Sequence, residues 1–410
     1  MRIGILVESF PNISEAWLSN QIIELLKRGV DVQIFSIYRN REELVHEQVQ
    51  VWKLLEKTHY FFYPSGNIFK KTFSTILHLF RSKRHLGFNK FVRVVRSIGQ
   101  SSLEPLFLYN YLTISKFLEI DILHAHFGEI GVIASKMKSA GLIPDTKLIV
   151  SFHGHDLFPY KKRYYKEIYQ IFNSTVSCLL VNSLYSRELL LDLFKGEVPI
   201  SVLPLGIDTD FFNPSFEHLK TREIRIVFVG RFVYLKGAIS MVDIFDRIHE
   251  RYPEARLIMI GDGEEQSSVV NTIGELMLKH VVELKGAMTQ GGVRDVMISS
   301  DIFIFPGRTD IVFQGADTQG VVVQEAQAAG LPVVCADIGG IRYGMIDGQT
   351  GFLIPENDIE KFVEVISHLI ENPSLRMKMS EAAREYVVEN FDANLICDRL
   401  MEIYNTVLGK

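Results

Sequence analysis

Three stretches combine residue types at spacings that could do chemistry on a phosphorylated ligand. In residues 228–237 (FVGRFVYLKG) an apolar run ends at Gly230, and Arg231 and Lys236 precede a helical pattern opening near Gly237. Two cations beside a helix amino terminus suit a diphosphate, because both the cations and the unpaired backbone N–H groups favour an anion. The plainer reading is a pair of solvated surface cations. Gly261-Asp262-Gly263 follows the next apolar run, and glycines there let the backbone approach a planar ligand, although Gly-Asp-Gly is also a common turn. The third stretch, 315–334 (GADTQGVVVQEAQAAGLPVV), puts Asp317 at an expected helix N-cap, Glu325 in a Val/Ala-rich helix, and Gly330 at its stop. Eight helical residues rise about 12 Å, so the two carboxylates could grip opposite ends of an extended ligand with a phosphate between them. That describes a sugar nucleotide. For Asp317 alone, a simple cap explains as much.

In the amino-terminal half, His124-Ala125-His126 and His153-Gly154-His155-Asp156 each follow an apolar run. Residues two apart on a strand share a face. Two readings stand open: paired histidines holding a metal with Asp156 as nearby carboxylate, or one histidine hydrogen-bonding at a cleft and the rest structural.

The elements that must position these residues alternate. Strands are expected at 2–7, 30–37, 60–63, 121–125, 147–152, 178–182, 200–203, 224–229, 256–260, 301–305 and 332–336. Helices are expected at 17–28, where Leu18, Ile22, Leu25 and Leu26 form one stripe, and at about 237–251; the tail from 358 reads as helical with a break at Asn372-Pro373. Strand-helix alternation over this length implies an α/β protein with parallel sheets covered on both faces, and ligands at the carboxyl ends of strands. The pattern breaks at 205–222, dividing 410 residues into units 1–208 and 209–388 followed by a last helix, 389–410.

Composition narrows the class. Apolar residues at 47% and charged residues at 23% exclude a disordered or fibrous chain, and a net charge of −5 excludes an electrostatic nucleic-acid binder. Cys178, Cys335 and Cys397 are too few and scattered for a disulfide framework or cysteine zinc site, which fits reduced thiols in the cytosol. The opening residues read as a strand rather than a signal peptide, and no apolar run reaches the roughly 18–20 residues of a spanning helix. One segment departs from the average. Residues 67–103 hold eight cations (Lys70, Lys71, Arg81, Lys83, Arg84, Lys90, Arg93, Arg96) and no carboxylate, leaving −13 for the remainder (−5 less +8). Phe69, Phe73, Ile76, Leu77 and Phe80 recur there at helical spacing, a basic amphipathic pattern suited to an anionic membrane face. The plainer reading is a helical pair on the sheet with a solvated charged face.

Together these segments resemble the retaining GT-B glycosyltransferases of family GT4, the glycosyl transferases group 1, and most closely bacterial exopolysaccharide, colanic-acid and amylovoran transferases. The resemblance is carried by Phe10-Pro11-Asn12-Ile13-Ser14-Glu15, HAHFG at 124–128, FHGHD at 152–156, PLGID at 204–208, Gly230-Arg231 with Lys236-Gly237, Gly261-Asp262-Gly263, the stretch from Thr318-Gln319-Gly320 to Glu325-Ala326, and GQTGFLIP at 348–355. It implies two Rossmann-like domains facing an interdomain cleft, the first for the acceptor and the second for the nucleotide sugar, with the last helix crossing back to the first. It implies a hexosyltransferase of class EC 2.4 moving sugar from a nucleoside diphosphate to a lipid-linked oligosaccharide or growing surface polysaccharide, in the cytoplasm or at the inner face of the cell membrane.

By motif position, Arg231 and Lys236 would neutralise the donor diphosphate. Glu325, with Gly261, Asp262 and Gly263, would bind the nucleoside and its ribose. Asp317, Thr318, Gln319 and Gly320 would bind the donor sugar beside His153, and the catalytic set would be His153, Asp317 and Glu325. Ser14, Glu15, His126, His155 and Asp156 are the acceptor-side candidates. No cofactor is expected, because two fixed cations can stabilise a departing diphosphate as a metal would. Asp317 departs from the family's usual pair of glutamates, and its shorter side chain withdraws the carboxylate by about 1 Å where positioning is tight. After Glu8 the family's Gly-Gly pair is missing, which points that loop toward the acceptor. Two other readings are a metal-dependent hydrolase built on the His-x-His pairs and a non-catalytic sugar-nucleotide-binding protein of the same fold.

Overall fold

A computed structural model describes residues 1–40, 45–61, 119–139, 141, 143–214 and 223–410. The basic segment 67–103 lies outside the described residues. Two sheets, parallel throughout, form the frame. The first is ordered β3-β2-β1-β4-β5-β6-β7, with β1 Arg2–Phe10, β2 Asp31–Arg39, β3 Thr58–Tyr60, β4 Ile122–His126, β5 Lys147–Phe152, β6 Cys178–Val181 and β7 Ile200–Val202. The second is ordered β10-β9-β8-β11-β12-β13, with β8 Arg225–Val229, β9 Arg256–Ile260, β10 Val282–Gly286, β11 Ile302–Phe305, β12 Val333–Ala336 and β13 Gly351–Ile354.

Central strands such as β4, β11 and β12 are buried along their whole length, as a sheet covered by helices on both faces requires. That makes them legible as short continuous apolar runs. The two strands absent from the sequence reading, β10 and β13, are both sheet edges. β10 reads Val-Glu-Leu-Lys-Gly with its charges exposed, so it lacks the apolar run that marks a buried strand. In each sheet the order reverses beside the first strand, at β1/β4 and at β8/β11. In open α/β sheets such a switch point is where ligands bind, outside the strands' carboxyl ends.

The helix Ala16–Lys27 buries Leu18, Ile22, Ile23 and Leu25 on the first sheet, and Gly29, at φ 72°, ends it. A residue with a Cβ is disfavoured in that left-handed conformation. The last helix, Ala393–Leu408, returns to the first domain and buries Ile396, Cys397, Leu400 and Tyr404 in its core. Arg28 holds it from the other side through Asp398 at 2.8 Å. The two crossings between domains pair with each other: Ile207 N–H donates to the Phe391 carbonyl and Ala393 N–H to the Ile207 carbonyl, both at 2.8 Å. Gly206 is required there, since a Cβ would stand 2.8 Å from the Ala393 Cα. Among the described residues no helix is long and apolar enough to cross a membrane.

Candidate active site

The histidines gather at the carboxyl ends of β4 and β5. His124 and His126, two apart on β4, stack with ring centroids 4.4 Å apart. His124 is committed on both sides, Nδ1 to the Tyr404 hydroxyl and Nε2 to Ser151 Oγ, each at 2.7 Å. His126 Nδ1 lies 3.0 Å from His153 Nε2, one of the two nitrogens donating. Trp17 lies over this pair, 4.4 Å from the His153 ring and 5.5 Å from His126. Phe127, at φ 74°, holds a backbone conformation uncommon for a residue with a Cβ, and its ring meets His153 and His155.

Burial pushes His124 down to about 3, and His153 to about 3 with neighbouring histidines adding to the effect; His126 falls well below its usual range for the same reasons. All three are therefore neutral hydrogen-bonding rings near pH 7, not cations. Among the described residues, His126 Nε2 and His153 Nδ1 are buried without a protein partner. Buried polar atoms are normally paired, so these two nitrogens are the open positions of the histidine cluster.

Asp156 is spent on the backbone. Its Oδ1 accepts from His153 N–H (3.1 Å) and Gly154 N–H (2.9 Å), and its Oδ2 from Gly128 N–H (2.8 Å), at the start of the helix Gly128–Ser139. Burial raises its pKa, while His155 and these N–H groups act against the rise. The carboxylate thus builds the turn that presents His153. The His155 side chain is exposed. Among the described residues no three His, Cys, Asp or Glu side chains are grouped to hold a metal. Ser14, also exposed, and Glu15 sit in the single turn Ile13–Glu15 after β1, where Asn12 Oδ1 accepts from both the Ser14 N–H and its hydroxyl.

On the second sheet, Arg231 is exposed at the end of β8. Lys236, in the turn Tyr234–Lys236, forms an ion pair with Asp317, its Nζ 5.4 Å from the centre of the Phe305 ring. Burial alone would raise the Asp317 pKa, but the Lys236 charge and hydrogen bond prevail and hold it below the usual range. The N-cap expectation for Asp317 needs correction. The helix is Val321–Ala328 and its N-cap is Gly320, at φ 76°; Asp317 accepts the Gly320 N–H at 3.0 Å from one turn earlier. A turn rather than helix therefore spans 317–320, so helical rise does not set the separation of Asp317 and Glu325.

Gly261 and Gly263 answer to a neighbouring loop. A Cβ on Gly261 would stand 1.9 Å from the Gly230 carbonyl oxygen, and one on Gly263 2.5 Å from that of Phe232. The glycines let the turns after β8 and β9 pack backbone to backbone, with Asp262 exposed between them and accepting the Gly263 N–H. Thr318 and Gln319 bridge the domains. The Thr318 hydroxyl donates to the His153 carbonyl (3.0 Å) and accepts from Asn182 Nδ2 (3.0 Å). Gln319 accepts the Leu205 N–H and donates to the Leu205 carbonyl, at 2.8 and 3.0 Å. Among the described residues Glu325 accepts one side-chain hydrogen bond, from Gln290 Nε2 at 3.1 Å, and burial lifts its pKa to about 7 despite that bond.

Trp17, Asn182 and Gln290 join the candidate site without having been singled out in the sequence, and Phe127 only as part of the motif at 124–128. Of the first three only Trp17 carried a signal, as one of two tryptophans; the others act through contacts made by distant segments.

A doubly wound sheet on each side, with neutral histidines on one and a cation–carboxylate set on the other, defines the class of two-domain GT-B proteins. A family model of glycosyl transferases group 1 matches residues 210–386, and one of glycosyltransferase family 4 matches residues 15–211. The chain belongs to the GT4 glycosyltransferases, and it is an enzyme of the glycosyl-transferring class EC 2.4. It is 25% identical to the amylovoran biosynthesis glycosyltransferase AmsK of Erwinia amylovora, over 98% of this chain and 99% of AmsK. It is 24% identical to WcaL of Salmonella typhimurium, a protein assigned as a glycosyltransferase of colanic acid biosynthesis, over 99% of this chain and all of WcaL. The crystal structure of Anabaena HepE with UDP-glucose superposes with a TM-score of 0.75 at 18% identity, covering 99% of this chain and all of HepE.

Proposed function

We propose that this enzyme is a retaining glycosyltransferase that moves a sugar from a nucleoside-diphosphate sugar to a lipid-linked oligosaccharide or growing surface polysaccharide, without a metal. The observation that carries the reading is the Thr318–His153 hydrogen bond. It joins the residue after Asp317 to the backbone of His153, so the motifs of the two domains adjoin at one place. Arg231 and Lys236 would face the diphosphate, Asp317 the sugar hydroxyls, Glu325 the ribose, and the open His153 Nδ1 the sugar at its reacting carbon. The bond from the sugar's anomeric carbon to phosphate breaks and a bond to the acceptor oxygen forms on the same face. The acceptor's proton passes to the departing phosphate, whose charge the two cations stabilise.

UDP-glucose bound to HepE supports a sugar-nucleotide donor, and the names of AmsK and WcaL support a role in exopolysaccharide synthesis. Ile311, Val312 and Phe313 support a lipid-linked acceptor. These three consecutive apolar residues are 77, 71 and 44% exposed, and Phe313 packs edge-on to Tyr160 of the first domain, four residues before Asp317. Exposed runs of this kind need a functional reason. The test is a screen of UDP-, GDP- and ADP-sugars for thermal stabilisation, followed by transfer assays with and without chelator. One donor at a hundred times its Kd should stabilise the fold by about 2.7 kcal/mol, with turnover indifferent to chelation. Stabilisation by none, or activity lost on chelation, refutes the proposal.

A further inference from the structure

Gln290 faces two ways. Its side-chain amide donates to Glu325, while its backbone N–H donates to His46 Nδ1 of the first domain, at 3.2 Å. His46 is buried, and its Nε2 lies 2.8 Å from the Ile13 carbonyl oxygen. The partners dictate the ring's protonation. A carbonyl only accepts and a backbone N–H only donates, so both bonds require a neutral ring with its proton on Nε2. The next residue, Glu47, accepts the Thr289 hydroxyl at 3.2 Å, and its Oε2 lies 3.2 Å from where a Cβ on Gly291 would stand.

His46 and Glu47 therefore sit together on the amino terminus of the helix Gln290–Met297. The first N–H groups of a helix lack partners within it, and a negative charge is favoured there. Thr289, the helix's own N-cap, reaches only the Gly292 N–H, at a long 3.4 Å. The first domain supplies the acceptor for Gln290.

We infer that His46 is an interdomain positioning residue for the donor site. By capping this helix from the opposite domain, it fixes where the Gln290 amide meets Glu325. Through the Ile13 carbonyl it ties the same chain of bonds to the turn Ile13–Glu15, which leads into Trp17 over His153. Orientation of the carboxylate in one domain thus depends on the docking of the other. The inference rests on reading Glu325 as the donor's ribose carboxylate.

The test uses the full chain and whichever of UDP, GDP and ADP gives the largest thermal stabilisation, followed by that nucleotide's sugar in turnover. His46→Ala should raise the donor KM and nucleotide Kd about fivefold, the scale of one lost cap, with a smaller change in kcat. Gln290→Ala should raise them about tenfold, the scale of a lost hydrogen bond to a charged group. The double variant should bind no worse than Gln290→Ala, because His46 acts through that amide. Multiplying effects, or a His46→Ala protein that loses thermal midpoint at unchanged KM, would overturn the inference. If His46→Ala does not fold, Glu47→Gln carries the same test with an expected two- to threefold rise, and an unchanged KM overturns it. Glu325→Gln separates the two ideas: undiminished nucleotide binding refutes the ribose reading, whereas weakened binding with silent His46 and Glu47 variants refutes the positioning role alone.

Discussion

Replacing Glu325 with glutamine should trade donor binding for stability, and pH should set the size of both effects. Burial holds this carboxyl at about 7 against an ordinary 4.5, with the Gln290 amide pulling the other way. A carboxyl raised in this way stabilises the folded state fully below the unfolded value, near 4.5, and loses that contribution as pH rises through 7. Once the group is ionised, the loss is about 3 kcal/mol. Glutamine cannot ionise, so at pH 8 the variant should be the more stable protein by up to about 3 kcal/mol, and the two should converge below pH 4.5. Binding runs opposite. Ribose hydroxyls donate to the ionised form, which grows from about a tenth of molecules at pH 6 to about nine-tenths at pH 8. Donor Kd should therefore fall nearly tenfold across that interval in the wild type and stay level in Glu325→Gln. Calorimetric titration with an intact sugar nucleotide, whose phosphates do not titrate in this range, measures the binding; urea denaturation at both pH values measures the stability. Equal wild-type Kd at pH 6 and 8, the same slope in the variant, or a variant less stable at pH 8 would refute the reasoning.

Three further outcomes are expected. Asp317→Ala leaves Lys236 without its partner and the Gly320 N–H without its acceptor. Stability should drop by about 1–3 kcal/mol and turnover at least tenfold; full turnover would make Asp317 a turn residue only. The depressed values of His124, His126 and His153 mean that the unfolded chain takes up protons near 6.5 while the folded one resists. Their contribution is complete above about 6.5 and should fall with pH, by about 2 kcal/mol at pH 5 for each of His124 and His153, with His126 acting in the same direction. Urea midpoints in the Glu325→Gln background, free of that group's opposite slope, would contradict this if unchanged between pH 7.5 and 5. The cations of 67–103, at about 1 kcal/mol each near an anionic surface, should give salt-sensitive co-sedimentation with anionic vesicles; binding indifferent to lipid charge and salt would remove the membrane from the proposal.

Buried strands and long helices were legible because burial on both faces demands unbroken apolar runs and a helix demands its own stripe. Residues 147–152 and 256–260 coincide with β5 and β9 for that reason. The edge strand β10 was not legible, since its exposed Glu283 and Lys285 break the apolar run; β13 is apolar but only four residues long, beside the turn at 348–351. Arg231, Lys236, Asp317, Glu325 and His153, the candidates for the proposed site, stand out in the sequence because each is polar where a strand end or an apolar helix leaves little reason for polarity. Asp156 misled. A buried carboxylate accepting three backbone N–H groups has the same letter and neighbourhood as one waiting for a ligand.

Local sequence therefore determined the two α/β halves and the residue types at the strand ends, because these follow from periodicity and turn chemistry within a dozen residues. Tertiary structure alone decided which polar groups remain open. His124 is closed by Tyr404, 280 positions away in the returning helix, while His153 Nδ1 is left without a partner among the described residues. Gln319 serves as a clasp on Leu205 and Gln290 as the link from Glu325 to His46. A hydrogen bond is a relation between two groups, and where chain separation exceeds a hundred residues no local pattern names the second.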